Sequence, residues 1–202
     1  MGDIRNPIKK SAIEKKEKII DKGFELMCLK GYHNVNCVDI AKYAGVSTGI
    51  IYQYFTDKRD IFIEGVKSCF NSIMFPMFDI LDDYEINDDN LSDIISLIID
   101  KFIDSHRMSR KAHEELMSMS HVDSDIKEIF SNGELDLTEK IVSSLKKNGF
   151  VISNITEKVH IIIGLVDNFC HEVVYHGHDS MDYKIMKGEI IDIILYLIKK
   201  EN

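Results

Sequence analysis

Residues 37–56 read CVDIAKYAGVSTGIIYQYFT, and this stretch predicts two short helices joined by a tight turn. Asn36 is a favourable N-cap for the first helix, and Asp39 follows three residues later to support the first turn. Gly45 fits a left-handed turn at the end of that helix, Val46 fills the corner, and Ser47 is the predicted N-cap of the second helix. The stretch therefore predicts a helix-turn-helix.

The predicted second helix has an inward and an outward side. Ile51 and Tyr54 are expected to face inward, against the small side chains of Ala41 and Ala44. The outward side then carries Thr48, Gly49, Tyr52 and Gln53. An exposed helix of this kind can enter the major groove of DNA with its N-terminal residues against base edges. The spacing alone also fits an ordinary helical hairpin inside a core.

The chemistry of the outward residues suits base recognition. Gln53 can pair bidentately with adenine, and Gly49 admits close approach of the backbone. The hydroxyl and methyl groups of Thr48 suit a base edge or a phosphate. These side chains make DNA a plausible ligand for the second helix.

The wider pattern closely resembles the DNA-binding domain of the Tet repressor family over residues 13–62. The residues that carry it are Gly31-Tyr32, then Ile40-Ala41-x2-Ala44-Gly45-Val46-Ser47-x-Gly49-x2-Tyr52-x-Tyr54-Phe55-x2-Lys58. The resemblance implies that Thr48, Gly49 and Gln53 face bases, and that Tyr52 and Lys58 contact phosphates. The DNA-binding set is expected to comprise Asn36, Ser47, Thr48, Gly49, Tyr52, Gln53, Tyr54 and Lys58.

Two positions depart from the family pattern. Val35-Asn36 stand where Thr or Ser is usual, and Thr48 stands where Lys or Arg is usual before the glycine. The second departure removes one cation from the predicted second helix of the motif, which we call the reading helix. We therefore expect Lys58, dimerisation and a flexible basic arm over residues 1–10, with Arg5, Lys9 and Lys10, to supply much of the affinity.

Charge is distributed unevenly along the 202 residues. The formal net charge is -9, but residues 1–60 carry 11 Lys or Arg against 8 Asp or Glu, whereas the remainder carries 14 against 26. A basic N-terminal part can approach phosphates while an acidic body is repelled by them. The acidic body also disfavours an architectural DNA binder, which would be basic throughout.

Composition indicates an all-α, cytoplasmic protein. Only 2 Pro and 11 Gly occur, which is few for a chain that turns as often as a β-sandwich does. No apolar segment approaches the ~18 residues of a membrane helix, and the N-terminus has no signal core. The 4 Cys show no CxxC pair, so neither a disulfide framework nor a zinc finger is predicted, and no cofactor is expected.

Helical periodicity predicts a three-helix DNA-binding domain over residues 1–57 and a helical bundle for ligand binding and dimerisation over 58–202. The first helix covers 11–30 and ends at Gly31, expected to be left-handed. A fourth helix covers about 57–79 with a kink or an end at Pro76, because proline removes a backbone donor. After an acidic loop over 82–93, further helices are expected at 91–107, 111–120, 124–148, 154–176 and 182–200.

A palindromic operator requires two reading helices ~34–36 Å apart, which a two-fold dimer supplies. The last two long helices are the predicted interface because their apolar faces look wider than one core contact needs. Those faces comprise Val159, Ile162, Ile163, Val166, Ile190, Ile191, Ile194 and Leu197. The chain is thus expected to be a homodimeric repressor.

A Met- and Phe-rich set in the body is expected to line a pocket for an unidentified apolar or amphipathic effector, although each member also suits plain core packing. The set comprises Met74, Phe78, Phe102, His106, Met117, Phe130 and Phe169. The effector would shift the fourth helix, change the spacing of the reading helices and release DNA.

His106, Asp167 and His171 offer a second hypothesis. If the helices that carry them meet, these side chains could bind a divalent metal. Ordinary interior or surface histidines are the simpler interpretation, and no metal is predicted. A metal-dependent enzyme or a metal sensor is therefore the alternative function. Because no nucleophile and base converge with these groups in the sequence, the chain is not expected to be an enzyme.

Overall fold

The computed structural model describes residues 7–107 and 110–198, apart from the side chains of residues 73–76. Within these ranges the chain is all-α, as predicted, and contains no strand. The helices are α1 Lys10–Lys30, α2 Cys37–Ala44, α3 Thr48–Tyr54, α4 Lys58–Asp83, α5 Leu91–Ser105, α6 Arg110–Val122, α7 Ser124–Lys147, α8 Ile155–Tyr175 and α9 Tyr183–Leu197. A short 3-10 helix, Tyr32–Asn34, follows α1.

The chain forms two compact units. The head unit comprises Met1–Phe70 and Ser109–Ile129, and the body unit comprises Asn71–Met108 and Phe130–Asn202. Two helices, α4 and α7, therefore begin in the head unit and end in the body unit. The predicted boundary at residue 57 between a DNA-binding and a ligand-binding domain stays a prediction, because the two compact units meet at other residues of the chain.

The core of the head unit lies between α1 and the start of α4. Ile19, Ile40, Ile61 and Phe62 are fully buried there. The helices approach so closely that a Cβ on Gly65 would lie 2.5 Å from Phe24. Glycine is required at such a crossing because no side chain can be accommodated.

Helix α6 also packs in the head unit, against α1. Its Glu115 carboxylate accepts a hydrogen bond from the Tyr32 backbone N–H at 2.6 Å. The sequence analysis placed this segment in the bundle, because periodicity identifies a helix but not its partner.

Two predicted helix ends differ from the structure. Helix α4 does not end at Pro76 but continues to Asp83, and the burial of Met77, Ile80 and Leu81 stabilises its last turns. Gly31 has the expected positive φ of 89°, but its ψ of 135° is extended and not left-handed. This geometry leads the chain directly into the 3-10 helix.

The body unit contains α5, most of α7, α8 and α9. The apolar residues Ile99, Val159, Phe169 and Ile194 form part of its core. Most of the residues predicted at a dimer interface lie in this same core: Val159, Ile163, Val166, Ile190 and Ile194 are buried within the single chain. That part of the interface prediction is wrong, since these side chains already pack on neighbouring helices.

None of the cysteines Cys28, Cys37, Cys69 and Cys170 forms a disulfide. Burial raises the pKa of the Cys28 and Cys170 thiols to about 12, so both stay protonated at neutral pH. None of the described helices is long and apolar enough to span a membrane.

Candidate nucleic-acid interface

A complete capping box begins α2. The Asn36 Oδ1 accepts hydrogen bonds from the backbone N–H groups of Val38 at 2.9 Å and Asp39 at 3.1 Å. The Asp39 carboxylate accepts one in return from the Asn36 N–H at 3.1 Å. These bonds satisfy donors that a helix N-terminus otherwise leaves unpaired. Because its oxygen caps the helix, Asn36 has only its amide nitrogen to offer a phosphate.

The turn between α2 and α3 has the predicted glycine geometry. Gly45 adopts the left-handed conformation, with φ 68° and ψ 38°. Ser47 occupies the N-cap position of α3, but its side chain makes no capping hydrogen bond. The first turn is instead closed by the backbone bond from the Ile50 N–H to the Ser47 carbonyl at 3.0 Å. The Ser47 hydroxyl is therefore not used to cap the helix.

Helix α3 has the inward and outward sides that the sequence predicts. Ile51 is fully buried, and Tyr54 is half-buried. Gly49, Tyr52 and Gln53 are exposed, and Thr48 is half-exposed. The structure thus brings the predicted base-facing residues together on one accessible surface.

The Tyr52 side chain is 55% exposed and is held by an unpredicted neighbour, Cys37 at the start of α2. The nearby Cys37 thiol, with which Tyr52 forms a hydrogen bond, raises the pKa of the tyrosine hydroxyl. The hydroxyl therefore stays protonated at neutral pH, and its single O–H can donate either to Cys37 or to a phosphate. This neighbour orients Tyr52 between the two helices of the motif.

Lys58 has a role within the protein that the sequence analysis missed. Its ammonium donates hydrogen bonds to the carbonyl oxygens of Tyr32 at 2.7 Å and Val35 at 2.8 Å, and it lies 4.3 Å from the centroid of the Tyr32 ring. Lys58 therefore fixes the segment between α1 and α2. An ammonium has three donors, so one remains for the predicted phosphate contact.

The head unit also contains an unpredicted ion-pair cluster. Arg59 donates to Asp123 at 2.6 Å and to Asp125 at 2.7 Å. The Arg59 guanidinium lowers the pKa of the Asp123 carboxyl. This cluster connects the start of α4 with the segment between α6 and α7.

The predicted basic arm falls partly outside the described residues, since Arg5 is not among them. Lys9 lies at the N-cap of α1 and Lys10 is its first residue. Lys10 is therefore helical, although the sequence analysis placed it in a flexible arm.

The body unit contains two apolar cavities. The larger has about 590 Å³ of empty space including its open mouth, and the smaller about 430 Å³. Both are lined by Leu81, Ile98, Ile141, Ile162 and Val166, so they adjoin. Their walls carry no polar surface, and such sites accept apolar groups.

The predicted pocket residues are mostly elsewhere. Phe102 lines the smaller cavity, whereas Met117 lies on α6 in the head unit and does not belong with the others. His106 and Phe169 are buried in the body unit, and Phe78 and Phe130 are half-buried there. Met74 is among the residues whose side chains are not described. Apart from Met77 and Phe102 in the smaller cavity, the walls are aliphatic, and the sequence did not single them out because Ile and Leu are also common core residues.

The head unit therefore has the architecture of a helix-turn-helix DNA-binding domain. Residues 19–64 match the family model for bacterial regulatory proteins of the tetR family. This match identifies residues 19–64 as a helix-turn-helix domain of the tetR type.

Curated relatives are similar over the same region. The chain is 42% identical over 55 residues to the HTH-type transcriptional regulator HbdR of Aromatoleum sp. (strain CIB), covering 27% of this chain and 24% of that protein. It is 38% identical over 56 residues to IcaR, the HTH-type negative transcriptional regulator of the biofilm operon icaADBC in Staphylococcus aureus, covering 28% and 30%. The matches thus span less than a third of the length of these relatives.

Solved structures show the fold of the whole chain. A TetR-family transcriptional regulator from Mesorhizobium loti superposes with a TM-score of 0.73 at 16% identity, covering 93% of this chain and 98% of that one. The fatty acid degradation regulator FadR from Bacillus halodurans gives a TM-score of 0.65 at 21% identity, covering 93% and 97%. At these identities the likeness concerns the fold alone.

Proposed function

We propose that this chain is a repressor that binds a palindromic DNA operator as a homodimer and is released by a small apolar or amphipathic effector. The observation that carries the proposal is the surface of α3, where Gly49, Tyr52 and Gln53 are exposed and Ile51 is buried beneath them. A repressing role is favoured by the likeness of the head to IcaR, a negative regulator.

The residues on and around the exposed surface of α3 have two different roles in DNA binding. Thr48, Gly49 and Gln53 face base edges, where the Gln53 amide pairs with adenine. Ser47, whose hydroxyl is not used in capping, and the Tyr52 hydroxyl contact phosphates with the third donor of Lys58. Asn36 adds its amide nitrogen, and Tyr54 supports the helix from its half-buried position.

The dimer forms through the outward faces of α8 and α9. These helices expose Ile161, Ile185 and Tyr196, with Tyr196 80% exposed. Gly164 and Gly188 lie on the same helices, and a Cβ on either would have open space around it. Exposed apolar side chains next to glycines suit close packing against the same helices of a second copy.

The effector occupies the adjoining cavities of the body unit. Their walls are mostly aliphatic, which favours a ligand with a hydrocarbon chain over a polar or purely aromatic one. The fatty acid degradation regulator FadR has the same fold as this chain, so fatty acids are the first probes.

The proposal is tested by gel-shift binding of the full chain to the DNA upstream of its own coding sequence. Gln53→Ala should change which operator variants are preferred, because the change removes a base contact worth about 1–3 kcal/mol. Tyr52→Phe should weaken binding to all operator variants alike. Tyr84→Phe, at an exposed tyrosine of the body unit, is the matched control and should have no effect.

Two results would contradict the proposal. The base assignment is wrong if Gln53→Ala keeps the wild-type sequence preference. The effector assignment is wrong if saturated fatty acids of increasing chain length neither bind the protein nor release the operator.

A further inference from the structure

Three metal-ligating side chains outside the proposed DNA surface converge in the body unit. His106 lies at the end of α5, and Asp167 and His171 lie one turn apart on α8, so the last two share a helix face. One ligand atom from each residue lies within 4.8 Å of the other two. The structure thus brings together the set that the sequence raised only as a hypothesis.

Each histidine lies near a different oxygen of the Asp167 carboxylate, at a distance longer than a usual hydrogen bond and similar to that between two ligand atoms of a metal site. His106 Nε2 is 3.4 Å from Asp167 Oδ1, and His171 Nδ1 is 3.4 Å from Asp167 Oδ2. Hydrogen bonds between nitrogen and oxygen are usually about 2.7–3.2 Å long. In a tetrahedral zinc site with metal–ligand bonds of about 2.1 Å, neighbouring ligand atoms lie about 3.4 Å apart.

The orientation of His106 gives a second, independent indication. Its Nδ1 is 2.7 Å from the Phe102 carbonyl oxygen, which can only accept, so Nδ1 carries the proton. Nε2 then faces the Asp167 carboxylate at 3.4 Å, where either a proton on Nε2 or a metal cation makes the interaction attractive. A carbonyl bonded to one ring nitrogen is the usual way in which proteins fix a histidine for metal binding.

The surroundings hold this arrangement in place. The Tyr175 hydroxyl donates a hydrogen bond to the His106 carbonyl oxygen. The His106 side chain is almost completely buried, whereas Asp167 and His171 remain partly accessible. Burial lowers the pKa of His171, although Asp167 opposes this effect.

We propose that His106, Asp167 and His171 bind a divalent first-row transition-metal ion, with Zn²⁺ as the ion that fits best. Two imidazoles and one carboxylate suit Zn²⁺ and its neighbours in the series, whereas Mg²⁺ and Ca²⁺ prefer sites made of oxygen atoms. Three protein ligands leave a coordination position open to water or to an atom of a bound molecule. The site does not depend on DNA binding by the head unit.

The site borders the smaller apolar cavity. Phe102, whose carbonyl fixes His106, lines that cavity, and so does Val166, which precedes Asp167. A bound ion would connect the end of α5 to α8 at the cavity wall. Metal binding would therefore stabilise the body unit as well as add a charged group beside an apolar chamber.

The test uses the full chain, purified without a histidine tag and freed of metal with a chelator. Zn²⁺ alone is titrated by calorimetry and by competition with a chromophoric chelator. We expect one Zn²⁺ per chain, and at least tenfold weaker binding for Asp167→Asn and His171→Gln. His160→Gln is the matched control, because His160 is an exposed histidine on the same helix, and it should bind Zn²⁺ as the wild type does.

Co²⁺ provides a readout that depends on ligand type. The cobalt form should show visible bands of a nitrogen and oxygen site without a thiolate charge-transfer band, and these bands should be lost in Asp167→Asn. Far-UV circular dichroism of each variant checks that the helices are intact. Absence of stoichiometric Zn²⁺ binding, equal affinity in all variants, or a thiolate band would each overturn the proposal.

Discussion

Lys58 illustrates how one side chain can serve both the fold and the proposed function. Its ammonium holds the carbonyl oxygens of Tyr32 and Val35 and lies over the Tyr32 ring. These carbonyls immediately precede α2, so Lys58 positions the first helix of the motif. A phosphate bound by its third donor would therefore be connected directly to the segment that orients the motif.

We expect Lys58→Met to destabilise the head unit by about 1–3 kcal/mol, since hydrogen bonds from a charged donor are lost and two carbonyls lose their partner. The measurement is urea unfolding of the full chain followed by circular dichroism. Lys67→Met is the control, because Lys67 forms an exposed pair with Glu64 and such pairs contribute about 0–1 kcal/mol. Equal stability of the two variants would contradict the role assigned to Lys58.

The same variant separates the structural role from DNA contact. If Lys58 also holds a phosphate, the slope of log affinity against log salt should become shallower by about two in Lys58→Met, about one for each protomer of the proposed dimer. A lower stability with an unchanged slope would restrict Lys58 to its structural role.

At the scale of elements, the end of α6 is fastened to the start of α4 through Asp123. One carboxylate oxygen of Asp123 accepts the backbone N–H groups of Asp125 at 3.0 Å and Ile126 at 3.3 Å, as the N-cap of α7. Both of its oxygens also accept hydrogen bonds from Arg59. The Asp123 side chain is only 11% exposed, so this double role is shielded from water.

Two variants of Asp123 separate these roles. Asp123→Asn should keep the cap, because asparagine is a good N-cap residue, and lose about 1 kcal/mol with the ion pair, since Arg59 is partly in water. Asp123→Ala should lose about 1 kcal/mol more with the cap. Thermal unfolding at pH 7 compares the three proteins, and equal stability of Asn and Ala variants would contradict the capping role.

The ion pair also predicts how stability depends on pH. Arg59 lowers the pKa of Asp123 in the folded state, so the contribution is fully present above the unfolded pKa of about 3.9. It is lost as the pH falls through the lower, folded-state pKa. The stability difference between wild type and Asp123→Asn should therefore shrink below about pH 4. A difference that stays constant below this pH would contradict a stabilising contribution from the ion pair.

The sequence predicts elements well where the signals are local. The capping box of Asn36 and the left-handed turn at Gly45 are set by neighbouring residues, and both are confirmed. The helices of the body begin and end within a few residues of their predicted bounds. The partners of an element are different. The hydrogen bond from the Tyr32 N–H to the Glu115 carboxylate joins α6 to the 3-10 helix after α1 across 83 positions, and no local pattern specifies such a pairing.

At the scale of the whole molecule, α8 and α9 carry apolar side chains on two sides. Their buried sides form the core of the body unit, and their outer sides expose Ile161, Ile185 and Tyr196. A sequence in which both sides of a helix are apolar does not distinguish the core from an interface. The choice of α8 and α9 as the interface stays a prediction, whereas most of the residues that the sequence named for it face the core.

The exposed apolar side chains on the outer sides of α8 and α9 lead to a prediction about dimerisation. Tyr196→Glu, alone or with Ile161→Glu, should convert the proposed dimer to a monomer, because it places a charge in an apolar contact without a partner. Binding to a palindromic operator should then weaken by at least 100-fold, since two linked heads gain about 10²–10⁴ in avidity over one. Light scattering after size exclusion and gel-shift titration measure the two effects.

Leu135→Glu supplies the control for this experiment, because Leu135 is an exposed apolar residue on α7, outside the proposed interface. It should leave both the mass and the operator affinity unchanged. If Tyr196→Glu dissociates the dimer but a single half-site is bound as before, the head unit is intact and the loss on the palindrome reflects the lost linkage alone. If Tyr196→Glu with Ile161→Glu still runs as a dimer, the interface lies elsewhere, and the spacing of the two reading helices must be set by other surfaces.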